Sequence, residues 1–214
     1  MDHLRSLVAS LPFQPVRTAR GDIKRNTVWL TDFNCKCKYK FSGSKPWAPI
    51  PFPDWLRKLA ARIRRILEEA APGDFGRKPG LYRPDACHCN RYDDGSQHLT
   101  WHSDDEGLFN KNNNNATIVS LSFGAMRRFG INAKFVPDEH AAFININEGD
   151  ILVMSGQMQR HYAHAVPISA CIAPRFNITF RFIANHTSDC GKGAKACYDG
   201  RFIPDNGEHF DPTI

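Results

Sequence analysis

A chain of 214 residues with 42% hydrophobic content and 15 Phe can bury one substantial core, which excludes a disordered chain and a small disulfide-stapled scaffold. No apolar run approaches the roughly 18 residues that span a membrane, MDHLRSLVASL is too charged for a secretory signal, and seven cysteines, an odd number without small-scaffold spacing, indicate free thiols in a reducing intracellular compartment, nucleus or cytoplasm. The net charge of +6 permits nucleic acid as a partner without requiring it.

Leu4, Leu7, Val8 and Leu11 recur at helical spacing, so the sequence predicts a short packing helix over residues 3–11, ending before Pro12. Residues 13–40 then mix Arg17, Arg20, Lys24, Arg25, Lys36, Lys38 and Lys40 with Trp29, Phe33 and Tyr39. That composition suits phosphate contacts and base stacking, and it equally suits a solvated basic face. Cys35-x-Cys37 and Cys87-x-Cys89 are tighter than the usual zinc C-x₂₋₄-C spacing and read as strand residues. Residues 53–71 carry Trp55, Leu56, Leu59, Ile63, Ile66, Leu67 and Ala70 as one apolar helical stripe, with Asp54 as cap, Gly73 beyond the end and a solvated face of Arg57, Lys58, Arg62, Arg64 and Arg65. Residues 73–84 read as a loop.

From Ala86 the period changes to two. Eight strands are predicted at 86–92, 99–102, 116–123, 127–135, 142–147, 150–155, 160–166 and 175–183, with a polar loop at 112–115. The expected fold class is therefore α+β, mainly β: a double-stranded β-helix, or jelly-roll, with N-terminal helices packed against one sheet. Within one structural domain the segments are 1–85, a helical and nucleotide-recognition extension; 86–184, the catalytic core; and 185–214, a loop-like tail. His186, Cys190, Cys197 and His209 of that tail could bind zinc, but they match no common zinc finger spacing, so a loop without metal is the favoured expectation.

The chemistry centres on NRYDDGSQHLTWHSDDE, residues 90–106. At a strand end, alternation sends His102 and Asp104 to one face, and a distant histidine would complete the two-His-one-carboxylate set that holds Fe(II) from one side. Alone the motif is weak: nine histidines and sixteen aspartates in 214 residues produce roughly 0.7 chance matches to His-x-Asp. The third ligand could be His161 or His164, which lie on opposite faces of a regular strand, so at most one of them points at a metal. In RFNITFR, Arg175, Asn177, Thr179 and Arg181 alternate with Phe176, Ile178 and Phe180. Two arginines inside a barrel need anionic partners, and a dicarboxylate matches their fork geometry.

Taken together, Tyr39-Lys40-Phe41-Ser42-Gly43, Asn90-x-Tyr92, His102-x-Asp104, the strand from Ser120 to Gly124, His164-x-x-Pro167 and Arg175-x-Asn177-x-Thr179-x-Arg181 resemble, in order, the motifs of the AlkB family of Fe(II)/2-oxoglutarate dioxygenases, over roughly two-thirds of the chain. The resemblance implies oxidative demethylation of N-alkylated bases, of 1-methyladenine or 3-methylcytosine type, in DNA or RNA, as in DNA repair, with Fe(II), 2-oxoglutarate and O2 as cofactor and cosubstrates and a monomeric, membrane-free enzyme. It implies His102, Asp104 and His164 as iron ligands, His164 being three residues before a proline. Asn90, Tyr92, Arg175, Asn177, Thr179 and Arg181 would bind 2-oxoglutarate, and Asp105 and Glu106 would lie beside the flipped base. The family pattern supplies no recognisable base-displacing finger here. The rival readings are a protein side-chain hydroxylase or demethylase with the same iron site, and a catalytically silent nucleic-acid-binding module.

Overall fold

The alternation in RFNITFR is repeated on the neighbouring strands, and the repetition gives the molecule its two faces. A computed structural model describes residues 1–19, 21–32, 35–41, 43–70, 84–109, 116–187 and 190. Its strands are β1 (Gln14–Thr18), β2 (Gly21–Thr31), β3 (Ile50–Pro51), β4 (Ala86–Tyr92), β5 (Leu99–His102), β6 (Ile118–Gly124), β7 (Arg127–Ala133), β8 (Ala142–Ile146), β9 (Ile151–Met154), β10 (Tyr162–Val166) and β11 (Arg175–Arg181). Helices α1 (Asp2–Ala9), α2 (Asp54–Ala70) and α3 (Met158–His161) accompany them. A seven-stranded sheet runs β1-β2-β4-β11-β6-β9, with β3 parallel to β2, and a four-stranded sheet runs β5-β10-β7-β8.

The outer face of the large sheet is apolar. Val28 and Leu30 of β2, Cys87 and Cys89 of β4, Val119 and Leu121 of β6, and Phe176, Ile178 and Phe180 of β11 pack with Val8 of α1 and with Leu56, Ala60, Ile63 and Leu67 of α2. The stripe forms because these α2 positions recur every three or four residues, and each of its large aliphatic side chains contributes about 1.5–3 kcal/mol on burial. The inner face, offset by one residue, carries polar side chains toward the small sheet. In register across β2, β4 and β11, Thr27 lies beside Asn90 and Asn90 beside Asn177, while Trp29 lies beside His88 and His88 beside Thr179.

All eight predicted strands are present: two keep their predicted bounds, β6 shifts to Ile118–Gly124, and the other five are trimmed. β7 stops at Ala133, and Phe135, a non-glycine residue at φ 66°, turns the chain away two residues later. β10 starts at Tyr162 because residues 158–161 form α3. The structure departs from expectation at the N-terminus, where much of the basic-aromatic stretch is strand: β2 pairs with β4, so the extension and the catalytic core share one sheet. Asp54 is the first residue of α2, not its cap; the Leu56 and Arg57 amides bond the Pro53 carbonyl, and Asp54 pairs with Arg57. Cys35 and Cys37, expected in a strand, lie in no strand, whereas Cys87 and Cys89 do. The expected loops at 73–83 and 112–115, Arg20, Phe33, Cys197 and His209 lie outside the described residues. Among the described residues no helix is long and apolar enough to cross a membrane.

Candidate active site

Antiparallel pairing of β5 with β10 sets His102 directly opposite His164, with ring centroids 4.1 Å apart. Asp104 follows the end of β5 and is fixed from behind, its amide donating to Oε1 of the fully buried Gln159 at 2.9 Å. The His102 Nε2 to Asp104 Oδ1 and His164 Nε2 to Asp104 Oδ2 separations are both 3.7 Å. His102 Nδ1 lies 2.9 Å from the Thr100 carbonyl, so that nitrogen carries the proton and Nε2 presents a lone pair. Burial pushes both imidazoles down, His164 to about 3 with help from nearby His102, so both are neutral near pH 7. Burial alone would raise the Asp104 carboxyl, but Arg181 and the two histidines outweigh it and hold it well below the usual range. Two neutral imidazoles and a carboxylate converging from one side fit Fe(II) with positions left open. His161 ends α3 instead of lying on a strand; it is exposed and bonds Gln157 at 2.8 Å, outside the cluster.

The cluster opens on a cavity of about 350 Å³, whose lining includes Asn90, Tyr92, Arg175, Asn177, Thr179 and Arg181. The two arginines differ in their neighbours. Arg181 Nη2 is 3.1 Å from Asp104 Oδ2 and its Nη1 is 3.6 Å from Glu106 Oε2; these anions overcome burial and raise its pKa. Arg175 donates to Ser122 Oγ at 2.9 Å and lies over the Tyr92 ring at 5.5 Å, and burial pushes its pKa down. Its Nε has no hydrogen-bond partner and no carboxylate pairs with it among the described residues. Asn177 donates to Ser120 Oγ at 2.6 Å and accepts from Thr179 at 2.8 Å, so this pair braces the cavity floor.

A family model described as the 2OG-Fe(II) oxygenase superfamily matches residues 1–181. The chain belongs to the 2OG-Fe(II) oxygenase superfamily. Alpha-ketoglutarate-dependent dioxygenase alkB homolog 3 of Mus musculus is 30% identical over 188 residues, covering 84% of this chain and 60% of that protein. DNA oxidative demethylase ALKBH2 of Homo sapiens is 35% identical over 156 residues, covering 68% and 52%. This oxygenase thus spans at most about 60% of the length of these curated relatives. Its fold is shared with the solved structure of OsALKBH1, at a TM-score of 0.55 and 19% identity, covering 79% of this chain and 83% of that one. Fe(II), 2-oxoglutarate and O2 are the cofactor and cosubstrates of the superfamily.

In this oxygenase the acidic run divides. Glu106 lines the cavity and accepts from the Tyr39 hydroxyl at 2.7 Å, and burial pushes its carboxyl up. Asp105 is exposed and does not line the cavity, as successive residues of extended chain point to opposite sides. Arg25, expected as a surface cation, is buried, and its Nε donates to Asn90 Oδ1 at 2.7 Å. Alternation with Thr27 and Trp29 could have revealed that. His88, kept neutral by burial and by Arg181 and Arg25, contacts Thr27 on the same inner face. Gln159 left no local signal, because its role depends on where α3 packs.

Proposed function

We propose that this oxygenase is an oxidative demethylase of N-alkylated nucleobases, of 1-methyladenine or 3-methylcytosine type, in DNA or RNA, working as an intracellular monomer. The observation that carries the reading is the aromatic part of the wall of the cavity that the triad lines. From Cys35 to Phe41 the chain alternates strictly, with Cys35, Cys37, Tyr39 and Phe41 buried and Lys36, Lys38 and Lys40 exposed. Tyr39 and Phe41 give the cavity aromatic surface for a planar base, and the lysine row outside suits phosphates. The names of the relatives, among them a DNA oxidative demethylase, support the same substrate class.

In this reading His102, Asp104 and His164 hold Fe(II). Arg175, with Tyr92, would receive the distal carboxylate of 2-oxoglutarate, since it is a buried cation lining the cavity with no carboxylate paired to it among the described residues. Arg181 pairs with Asp104 and would also help to hold the cosubstrate, while Asn90, Asn177 and Thr179 shape the floor between the arginines. Bound iron, with 2-oxoglutarate and O2, supplies hydroxylation of the N-methyl carbon, with release of formaldehyde, succinate and CO2. The protein's part is to hold that methyl group near the metal and keep water out. Glu106 accepts a hydrogen bond from the exocyclic amino group and offsets the charge of a cationic lesion.

Formaldehyde release should appear with methylated oligonucleotides and not with methylated peptides. The reverse result would make the protein a side-chain demethylase, and release from neither would make it a silent binding module. Oligonucleotide affinity should fall steeply with salt, and Lys38→Gln should reduce the slope by about one.

A further inference from the structure

Outside the triad, a second cluster joins parts of the chain that are far apart in sequence. Residues 35–41 are extended, so Cys35 and Cys37 face the same way. Beyond β11 the chain turns back, with the amides of Ala184 and Asn185 bonding the Leu108 carbonyl at 3.0 and 3.2 Å. The turn brings His186 and Cys190 onto the two cysteines. All four residues are buried, and their ligand atoms lie within 4.8 Å of one another.

We infer that Cys35, Cys37, His186 and Cys190 bind one structural zinc ion, which clamps the substrate-side wall of the cavity to the segment after β11. His186 Nδ1 lies 3.7 Å from Cys35 Sγ, 3.3 Å from Cys37 Sγ and 3.2 Å from Cys190 Sγ, and Cys190 Sγ lies 3.7 Å from Cys35 Sγ. A tetrahedron with Zn–S of about 2.3 Å and Zn–N of about 2.0 Å has edges of about 3.8 Å between sulfurs and about 3.5 Å between sulfur and nitrogen, close to these separations. A disulfide would use two of the thiols and leave the third beside the imidazole; a cage with every donor pair within 4.8 Å suits a single ion and not a multi-iron cluster.

The surroundings point the same way. His186 Nε2 is 3.4 Å from Asp85 Oδ2, the carboxylate contact that orients a metal-bound imidazole with its other nitrogen toward the metal. Asp85 is itself held, its Oδ1 accepting from the Ile183 amide at 2.8 Å. The Thr187 amide points at Cys37 Sγ from 3.5 Å, a contact that favours a thiolate. Trp29 Nε1 donates to the Cys37 carbonyl at 2.9 Å and Thr31 to the Cys35 carbonyl at 2.7 Å, fixing the backbone of both cysteines to β2. Four protein donors leave no open position, so the ion serves structure and not turnover. Its product is the placement of Tyr39, four residues after Cys35, and through the Tyr39 hydroxyl of Glu106.

The test uses the full chain carrying His102→Ala and Asp104→Ala, so that the triad cannot hold the probe metal. One zinc per chain should remain after dialysis against a weak chelator, and three thiols should become reactive only when a strong chelator removes it. Cobalt(II) in place of zinc should show sulfur-to-cobalt charge transfer and the intense visible bands of a tetrahedral site. Adding Cys37→Ser and Cys190→Ser should abolish the zinc and the charge-transfer band. Zinc at background level, or bound cobalt without a thiolate band, would overturn the inference. Should the cysteine variants fail to fold, the cobalt spectrum of the triad variant decides alone.

Discussion

The two ends of β11 sit on one face of one strand, yet they are electrostatic opposites. Arg181 is surrounded by anions, with Asp104 at 3.1 Å and Glu106 at 3.6 Å, and is sandwiched near the Tyr39 and Phe109 rings. Arg175 is as deeply buried, yet its neighbours are a hydroxyl and an aromatic ring. A buried cation without an anion is unfavourable, whereas a paired one is tolerated. The protein therefore supplies anions to one end by itself, the charge-complete end, although Arg181 Nε and Nη1 still lack hydrogen-bond partners among the described residues, and supplies none to the other, which is the end proposed to receive a ligand. Charge at a position tells little about role until the partners are known.

The largest expected effect breaks the complete end. Asp104→Ala removes a proposed metal ligand and the nearest anion to Arg181 together. Iron binding and turnover should be lost, and stability should fall toward the lower end of about 3–5 kcal/mol, because Glu106 still faces the arginine. Iron content and a denaturant titration check both parts. A variant with wild-type stability would mean that Arg181 does not depend on Asp104.

The next test sets the two ends side by side. Arg175→Lys retains a charge but loses the planar fork, so the apparent KM for 2-oxoglutarate should rise at least about tenfold with iron affinity unchanged. Arg181→Lys should act mainly on kcat and on iron retention, through Asp104. Equal KM increases in both variants would mean that the two ends share the cosubstrate and that the asymmetry of the unliganded site does not matter.

Features with local periodicity were legible in the sequence. The eight strands after Ala86 follow from period-two alternation, and both α1 and α2 from their apolar stripes. His102 and Asp104 share a site because two-residue spacing at a strand end aligns them. The strand partnership of β1 and β2 was hidden by charged and exposed residues near the edge of the large sheet, which break the apolar pattern. Cys35-x-Cys37 carries no metal signal in sequence because ligand-spacing rules describe compact loops, whereas this pair meets His186 about 150 residues away. The difference between Arg175 and Arg181 was equally invisible, since it lies in tertiary neighbours and not in RFNITFR.

A smaller effect is expected where the complete end is braced. Gln159 accepts the Asp104 amide and contacts Met154 Sδ at 3.7 Å, making no contact with the proposed cosubstrate pocket. Gln159→Leu keeps the volume and leaves the Asp104 amide without a partner, so stability should fall by about 1–3 kcal/mol and iron affinity by about tenfold. Iron titration against the Arg175→Lys variant sharpens the contrast: loss of metal affinity should belong to the Arg181 end alone.

The smallest effect concerns Glu106, which lies between the complete end and the proposed base site. Its Oε1 accepts from Tyr39, and its Oε2 has no hydrogen-bond partner among the described residues although Arg181 is nearby. An exocyclic amino group in the cavity would supply that missing donor. Glu106→Gln can retain the Tyr39 bond but removes the charge, so a cationic 1-methyladenine or 3-methylcytosine loses both an acceptor and a counter-charge. A neutral 3-methylthymine has no exocyclic amino group to lose and no charge to offset. Turnover should therefore fall about tenfold on the cationic lesions, equivalent to about 1.4 kcal/mol, and far less on the neutral one. Parallel kcat/KM measurements on the three lesions read the difference. Equal losses on all of them would show that Glu106 acts on Arg181 and Asp104, as part of the complete end, and not on the base.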